Sequence, residues 1–244
     1  MDSFDNLKVS VIIPSFNRFN FLLNTINSVK AQTFKNLEII VVNDGSNDEN
    51  YYSYDWNKNS IKIIHNKENS KNLFGYPSIG FVRNRGIEVA SGTYIAFCDD
   101  DDIWFENKIK MQLDAMKLSG CKMSSSDGLI GYGIFDNSRK YLAYNAEFYY
   151  QKIKEIYKKK NSNLMDKGFP EIWDKEFIKV HNCIICSSVI VEKNILTYVD
   201  NFSLKKPPGE DYDCWLKVLN YTNSAYINDI CFYYDLNHGL GRNY

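Results

Sequence analysis

The run Gly92-Thr-Tyr-Ile-Ala-Phe-Cys-Asp-Asp-Asp-Asp-Ile-Trp104 goes from a chain break, through a short apolar stretch, to four consecutive carboxylates. Ser91-Gly92 ends the helical pattern before it, and Tyr94-Ile-Ala-Phe97 has the unbroken apolar character of a strand buried on both faces. Acidic runs are usually solvated turns, but this one is pinned between Tyr94–Phe97 and the apolar Ile103-Trp-Phe105. Crowded like charges raise one another's pKa and destabilise a fold unless a cation neutralises them. The cluster therefore reads as a metal site. Its hard oxygen donors suit Mg2+ or Mn2+, which in turn can hold a diphosphate.

Working upstream, Val9-Ser-Val-Ile-Ile13, Leu37-Glu-Ile-Ile-Val-Val42 and Ile61-Lys-Ile-Ile64 are further buried strands. Between them, Phe19 to Ala31 carries apolar residues at helical spacing, and a second helix is expected over Ser78 to Ala90, after the loop Asn66 to Pro77. Strands alternating with helices imply right-handed βαβ units and an α/β fold with a Rossmann-like, mostly parallel central sheet flanked by helices. Ligands bind such sheets beyond the carboxyl ends of the strands. Three polar loops fall there: Pro14–Arg18, Asn43–Asp48 and Asp99–Asp102.

Downstream the pattern is less regular. Helices are expected over Asn107 to Leu118, over the Lys- and Tyr-rich, solvent-facing stretch Tyr149 to Lys160, and over Tyr212 to Leu219. Ile184 to Val191 reads as a strand, and Lys205-Lys-Pro-Pro-Gly209 as a loop. The segments Tyr141 to Tyr150 and Phe169 to Trp173 are rich in aromatic residues. Without repeats or a dividing linker, residues 1–244 read as one domain.

The 244 residues suffice for one α/β domain with a full core. A formal net charge of −1 gives no global attraction to nucleic acid or to acidic lipid surfaces, and no nucleic-acid partner is expected. No apolar run reaches the roughly 20 residues of a membrane span, and the polar, acidic Met1 to Lys8 is unlike a secretory signal. A cytoplasmic chain is expected. The Lys-rich Lys152 to Lys160 is the stretch that would touch a membrane surface, although a solvated face accounts for it more simply. Cys183 and Cys186 form a lone CxxC in an apolar run, which lacks the second ligand pair of a zinc site. All six cysteines read as reduced thiols, and His65 and His181 as structural.

The chain resembles a family 2 glycosyltransferase of the GT-A fold. The resemblance rests on Val9-Ser-Val-Ile-Ile-Pro-Ser-Phe-Asn-Arg18, Gln32-Thr-Phe34, Glu38-Ile-Ile-Val-Val-Asn-Asp-Gly-Ser46, Arg83-Asn-Arg-Gly86, the stretch from Gly92 to Asp102, and Gly209-Glu-Asp-Tyr-Asp-Cys-Trp215. It covers residues 8 to 105 in family order, returns at 209 to 219, and thins in between. It implies a nucleotide-sugar half over about 8–105 and an acceptor and catalytic-base half over about 106–244, in which the aromatic stretches Tyr141 to Tyr150 and Phe169 to Trp173 suit either sugar stacking or packing.

The resemblance implies roles residue by residue. Pro14, Phe16 and Asn17 match the loop that contacts the nucleotide base. Phe16 would stack on a pyrimidine or pack in the core, and Arg18 would meet a phosphate or sit on the surface. Asp44 matches the aspartate that hydrogen-bonds the base, and equally ends a strand in an Asp-Gly turn. Arg83 and Asn84 match a pair near the diphosphate, with Asn84 alternatively bracing the metal loop. Asp99 and Asp101 are the most direct choice for the metal motif, Asp101 as ligand and Asp99 or Asp100 toward the ribose, in a register ambiguous by one residue.

Asp211, with Glu210 as neighbour or substitute, matches the catalytic base of an inverting transfer, and acids at a helix start are also favoured by the macrodipole. His238 resembles a C-terminal histidine that meets metal or diphosphate, with Gly239 and Gly241 allowing motion and Arg242 adding a phosphate contact. The expected reaction is metal-dependent transfer, with inversion, from a nucleotide-diphosphate sugar (UDP for preference) to a saccharide-containing acceptor. The alternatives are a non-catalytic sugar- or nucleotide-binding domain, and a nucleotidyltransferase, which the absence of a Walker loop disfavours.

Overall fold

The computed structural model describes residues 7–206 and 208–237. The first part of the chain forms β1 (Val9–Ser15), α1 (Phe19–Lys30), β2 (Leu37–Asn43), the single turn α2 (Asn50–Ser53), β3 (Ile61–His65), α3 (Ser70–Phe74), α4 (Ile79–Val89) and β4 (Tyr94–Phe97). The rest forms β5 (Ile103–Trp104), α5 (Lys108–Ser119), β6 (Met123–Gly131), β7 (Leu142–Ala143), a π-helical turn (Tyr144–Tyr149), α6 (Tyr150–Lys159), β8 (Ile172–Trp173), α7 (Lys175–Val180), β9 (Ile190–Glu192), α8 (Lys193–Tyr198), α9 (Glu210–Val218) and β10 (Ser224–Asp235).

One sheet joins both parts in the order β3-β2-β1-β4-β9-β6-β10-β5, with β7 against β6 and β8 against β10. The first four strands of that path pair in parallel. β9 runs antiparallel to both β4 and β6, so β6, and β10 beside it, point the same way as β1 to β4. The shared direction brings the carboxyl ends of β1, β2, β4, β6 and β10 to one rim.

Alternation along β1 explains the layers. Val9, Val11 and Ile13 face the core roofed by α1 and α5, while Ile12 faces the core roofed by α4, α6, α7, α8 and α9. Helix α4 lies unusually close to the sheet: a Cβ on Gly86 would stand 2.5 Å from Ile12 Cγ2. That approach sets Arg83, one turn earlier, at the site rim.

The strands and helices expected in the first half are present to within two residues, as are α5 and α9. Ile184–Val191 departs from expectation. Only Ile190–Glu192 pairs, and Cys186–Ser188 is a 3-10 turn. Its polar groups are claimed from elsewhere: Ser187 Oγ accepts from the Asp99 N–H (2.9 Å), Ser187 O from Trp104 Nε1 (3.0 Å), and Ser188 O from Gln112 Nε2 (2.7 Å). The segment braces the aspartate loop and so cannot extend a ladder. Helix α6 is amphipathic, burying Ile153 and Tyr157, and is not solvated all round. In the Phe169–Trp173 stretch, packing is the role Trp173 takes: it is buried and stacked on Tyr226 at 3.9 Å. His65 stacks on Tyr52 (4.8 Å), and His181 packs at a tilt against Tyr149 (4.1 Å).

Candidate active site

The site is assembled from the loops after β1, β2 and β4, and from the start of α9. Asn17 has a left-handed backbone (φ 52°), and its side chain and N–H bind Asn47 N and Ser46 Oγ at 2.9 Å each, tying the first loop to the second. Phe16 is half-buried and Pro14 buried. Asp44 is fully buried. Its carboxylate accepts from Asn66 Nδ2 (2.9 Å), from the Ser70 N–H (3.1 Å) and hydroxyl (2.6 Å), and more distantly from Asn69 Nδ2 (3.3 Å). A carboxylate offers about four lone-pair sites, so Asp44 organises the loop around Gly45, and a base reaching it would have to exchange for one of these donors.

The four aspartates diverge. Asp99 turns toward α4 and α9, where Arg83 Nη2 donates to its Oδ1 at 2.7 Å. Asp100 accepts from Ser15 Oγ (2.6 Å), and Ser15 also bonds the Tyr51 hydroxyl. Asp101 pairs with Arg18, whose guanidinium also lies 3.5 Å from Asp100. Asp102 points inward and is structural, accepting from the Asp235 N–H at 3.0 Å and thereby locking the loop to the end of β10. Burial, with Asp101 alongside, pushes the Asp100 carboxyl up to about 8 against the pull of Arg18. Burial opposes the charge of Arg18 itself, but Asp100 and Asp101 outweigh it and raise its pKa.

Two pockets flank the loop. One, of 220 Å³, is lined by Asn17, Arg18, Phe21, Asp101, Asp235 and Asn237. The other, of 280 Å³, brings Arg83 and Asp99 together with Glu210 and Asp211, walled by Tyr144 and Tyr234. Gly209, at φ 105°, turns the chain into α9 so that both acids emerge at the helix start. Arg83 is 3% exposed and stands between Asp99 and Glu210 (3.7 Å), its guanidinium 5.5 Å from the Phe202 ring. Burial works against its charge, yet the surrounding anions, Asp99 foremost, hold it firmly protonated. Burial raises the Asp211 carboxyl above its ordinary value, Arg83 resists, and Glu210 adds to the rise.

The sequence-nominated residues thus divide. Arg18, Asp99, Asp100 and Asp101 with the first loop, and Arg83 with Glu210 and Asp211, converge on one rim. Asn84 turns away from the pocket: its amide exchanges two hydrogen bonds with the Phe202 backbone (2.9 and 3.0 Å), which braces the loop leading to α9. His238, Gly239, Gly241 and Arg242 lie outside the described residues. Sequence reasoning gave no site role to Ser15, Tyr51, Ser187 or Tyr234, and named Tyr144 only within the aromatic stretch Tyr141 to Tyr150. Ser15 stood inside the quoted first loop, whereas Tyr51 in α2, Ser187 in the 3-10 turn and Tyr234 on β10 are brought to the site only by the fold.

The sequence profile described as glycosyl transferase family 2 matches residues 10–190. The chain belongs to that family. It is therefore a glycosyltransferase, and its sheet and rim are those of the GT-A fold. It is 30% identical over 228 residues to the Escherichia coli protein described as UDP-Glc:alpha-D-GlcNAc-diphosphoundecaprenol beta-1,3-glucosyltransferase WfgD, covering 92% of this chain and 74% of that one. A Rickettsia bellii protein described as an uncharacterized glycosyltransferase is 37% identical over 137 residues, 55% of this chain and 18% of that one. The crystal structure of S. aureus TarS 1-349 in complex with UDP superposes with a TM-score of 0.69 at 19% identity, over 94% of this chain and 61% of that chain. The chain is thus shorter than these relatives, spanning from under a fifth to about three quarters of their length.

Proposed function

We propose that this glycosyltransferase moves a sugar from a UDP-sugar to a hydroxyl of a lipid-linked saccharide, with inversion and with a divalent cation at the aspartate loop. The observation that carries the reading is the 280 Å³ pocket in which Asp99 and Arg83 face Glu210 and Asp211. It gives donor and acceptor one meeting place beside a carboxylate whose ordinary alternative, helix capping, does not require a pocket. The donor and acceptor classes are supported by the described activities of WfgD and of WfaP, which is likewise 30% identical to this chain, and the donor also by a TarS complex with UDP-GlcNAc.

The residues present fit Mg2+ or Mn2+. Asp100 and Asp101 are almost fully buried side by side and share the one guanidinium of Arg18, so carboxyl groups outnumber cations at the mouth of a pocket that Asp235 also lines, and a cation would favour the ionised form of Asp100. Among the described residues no three acidic, His or Cys side chains form a closed cage. That suits a hard cation held by one or two carboxylates, with substrate phosphates and water completing its shell. Asp101 would hold it, with Asp99 and His238 as the further candidates. Bound there, the cation would neutralise charge developing on the leaving diphosphate.

The chain's own residues supply the rest. Arg18 and Arg83 sit on either side of the loop, poised as cations toward a diphosphate lying across it. Asp211 accepts the proton of the acceptor hydroxyl as that oxygen attacks the anomeric carbon from the face opposite the nucleotide, and Glu210 is the neighbour best placed to substitute. Tyr144 and Tyr234 narrow the pocket against water. The test is a thermal-shift titration of UDP with and without Mn2+. A metal-dependent rise is expected, about 2.7 kcal/mol of stabilisation at a hundredfold excess over Kd, lost in Asp101→Asn. A UDP shift indifferent to both metal and substitution would remove the metal from the account.

A further inference from the structure

A cavity of 630 Å³ beside the rim shares none of the aspartate-loop residues of the donor site. It opens at the carboxyl ends of β6 and β10, between Ile130, Tyr132, Tyr141, Phe148, Tyr149 and Leu236, and Tyr144 is common to its wall and to the wall of the catalytic pocket. Its rim leaves large apolar side chains in solvent: Tyr132 is 71% exposed, Leu142 52% and Phe148 44%. Soluble chains seldom leave such side chains clustered around a concavity unless something covers them. Basic groups frame the same opening. Arg139 and Lys140 line it, and Lys152 Nζ lies over the Phe148 and Tyr149 rings at 5.0 and 5.4 Å.

We propose that this aromatic groove is the acceptor subsite, seating a saccharide diphosphate whose sugar lies against the tyrosine and phenylalanine rings and whose diphosphate pairs with Arg139 and Lys140. The inference rests on the transferase reading above. Two features select this occupant. Aromatic faces joined to a catalytic pocket through a shared tyrosine place a sugar ring within reach of Asp211. Cations at the outer end match an anionic linker leading away from the protein.

The probe is α-GlcNAc diphosphate carrying an undecyl chain, titrated calorimetrically into the full chain and then used as acceptor with UDP-glucose and Mn2+. Tyr132→Ser/Phe148→Ser and Arg139→Gln/Lys140→Gln each replace exposed side chains. Each is expected to raise the Kd and KM for the probe by about tenfold while UDP affinity stays at the wild-type value. Wild-type protein that binds UDP but not the probe, or groove variants that bind the probe as tightly as wild type, would overturn the subsite and leave the transferase reading intact. Failure to bind UDP at all would instead strike that reading. Variants that lose only sedimentation with anionic vesicles, at unchanged probe Kd, would show the patch to be a membrane surface and also overturn the proposal.

Discussion

Arg83 holds the centre of the catalytic pocket because three charges depend on it: Asp99 at 2.7 Å, Glu210 at 3.7 Å and, more weakly, Asp211. The groups facing Asp211 are this guanidinium, the carboxylates of Glu210 and Asp99, and the Tyr144, Tyr234, Cys186 and Cys214 side chains. The base proposed here, Asp211, must be ionised to act, and burial together with its acidic neighbours raises its carboxyl. Activity is therefore present above that raised value and lost as pH falls through it. The acid limb of kcat/KM is expected above the ordinary aspartate range, and Glu210→Gln, by removing a like charge, is expected to move that limb to lower pH. A pH profile of wild type and variant checks both, and a limb displaced upward in Glu210→Gln would refute the assigned coupling.

At the scale of elements, the π-helical turn Tyr144–Tyr149 does more than its length suggests. Asp127, fully buried on β6, accepts the N–H groups of Gly128 (2.9 Å), Asn145 (2.8 Å) and Ala146 (2.9 Å) and so fixes the wall that separates the catalytic pocket from the aromatic groove. Asp127→Asn keeps the shape but leaves one carbonyl oxygen for three donors. A cost of about 1–3 kcal/mol is expected, read as a lower Tm, together with a weakened acceptor KM at unchanged UDP affinity. None of this was legible beforehand. The β1 and β2 runs announced themselves because both are largely buried and mostly apolar, with Ser10 and Glu38 the polar exceptions inside Val9–Ile13 and Leu37–Val42. β6 reads Met-Ser-Ser-Ser-Asp-Gly, with serines and an aspartate buried by hydrogen bonds that no periodicity encodes. Its partner β10 hides behind two register shifts.

For the whole molecule, the polar rim was legible because a parallel sheet sends its loops to one edge, so three separated motifs had to meet. What sequence could not supply was direction within the cluster. Adjacent carboxylates face different neighbours: Asp99 to Arg83, Asp100 to Ser15, Asp101 to Arg18 and Asp102 to the end of β10. The second half resisted for a related reason, since Cys186–Ser188 and Asn84 spend their hydrogen bonds on bracing loops across the fold. The account as a whole stands on Asp211 receiving the acceptor proton. Its most direct test is transfer under single-turnover conditions in Asp211→Asn, with UDP affinity measured on the same preparation. The account predicts a rate lowered by about 10²–10⁴-fold with UDP bound as tightly as by wild type, whereas a rate within a few-fold of wild type would contradict it.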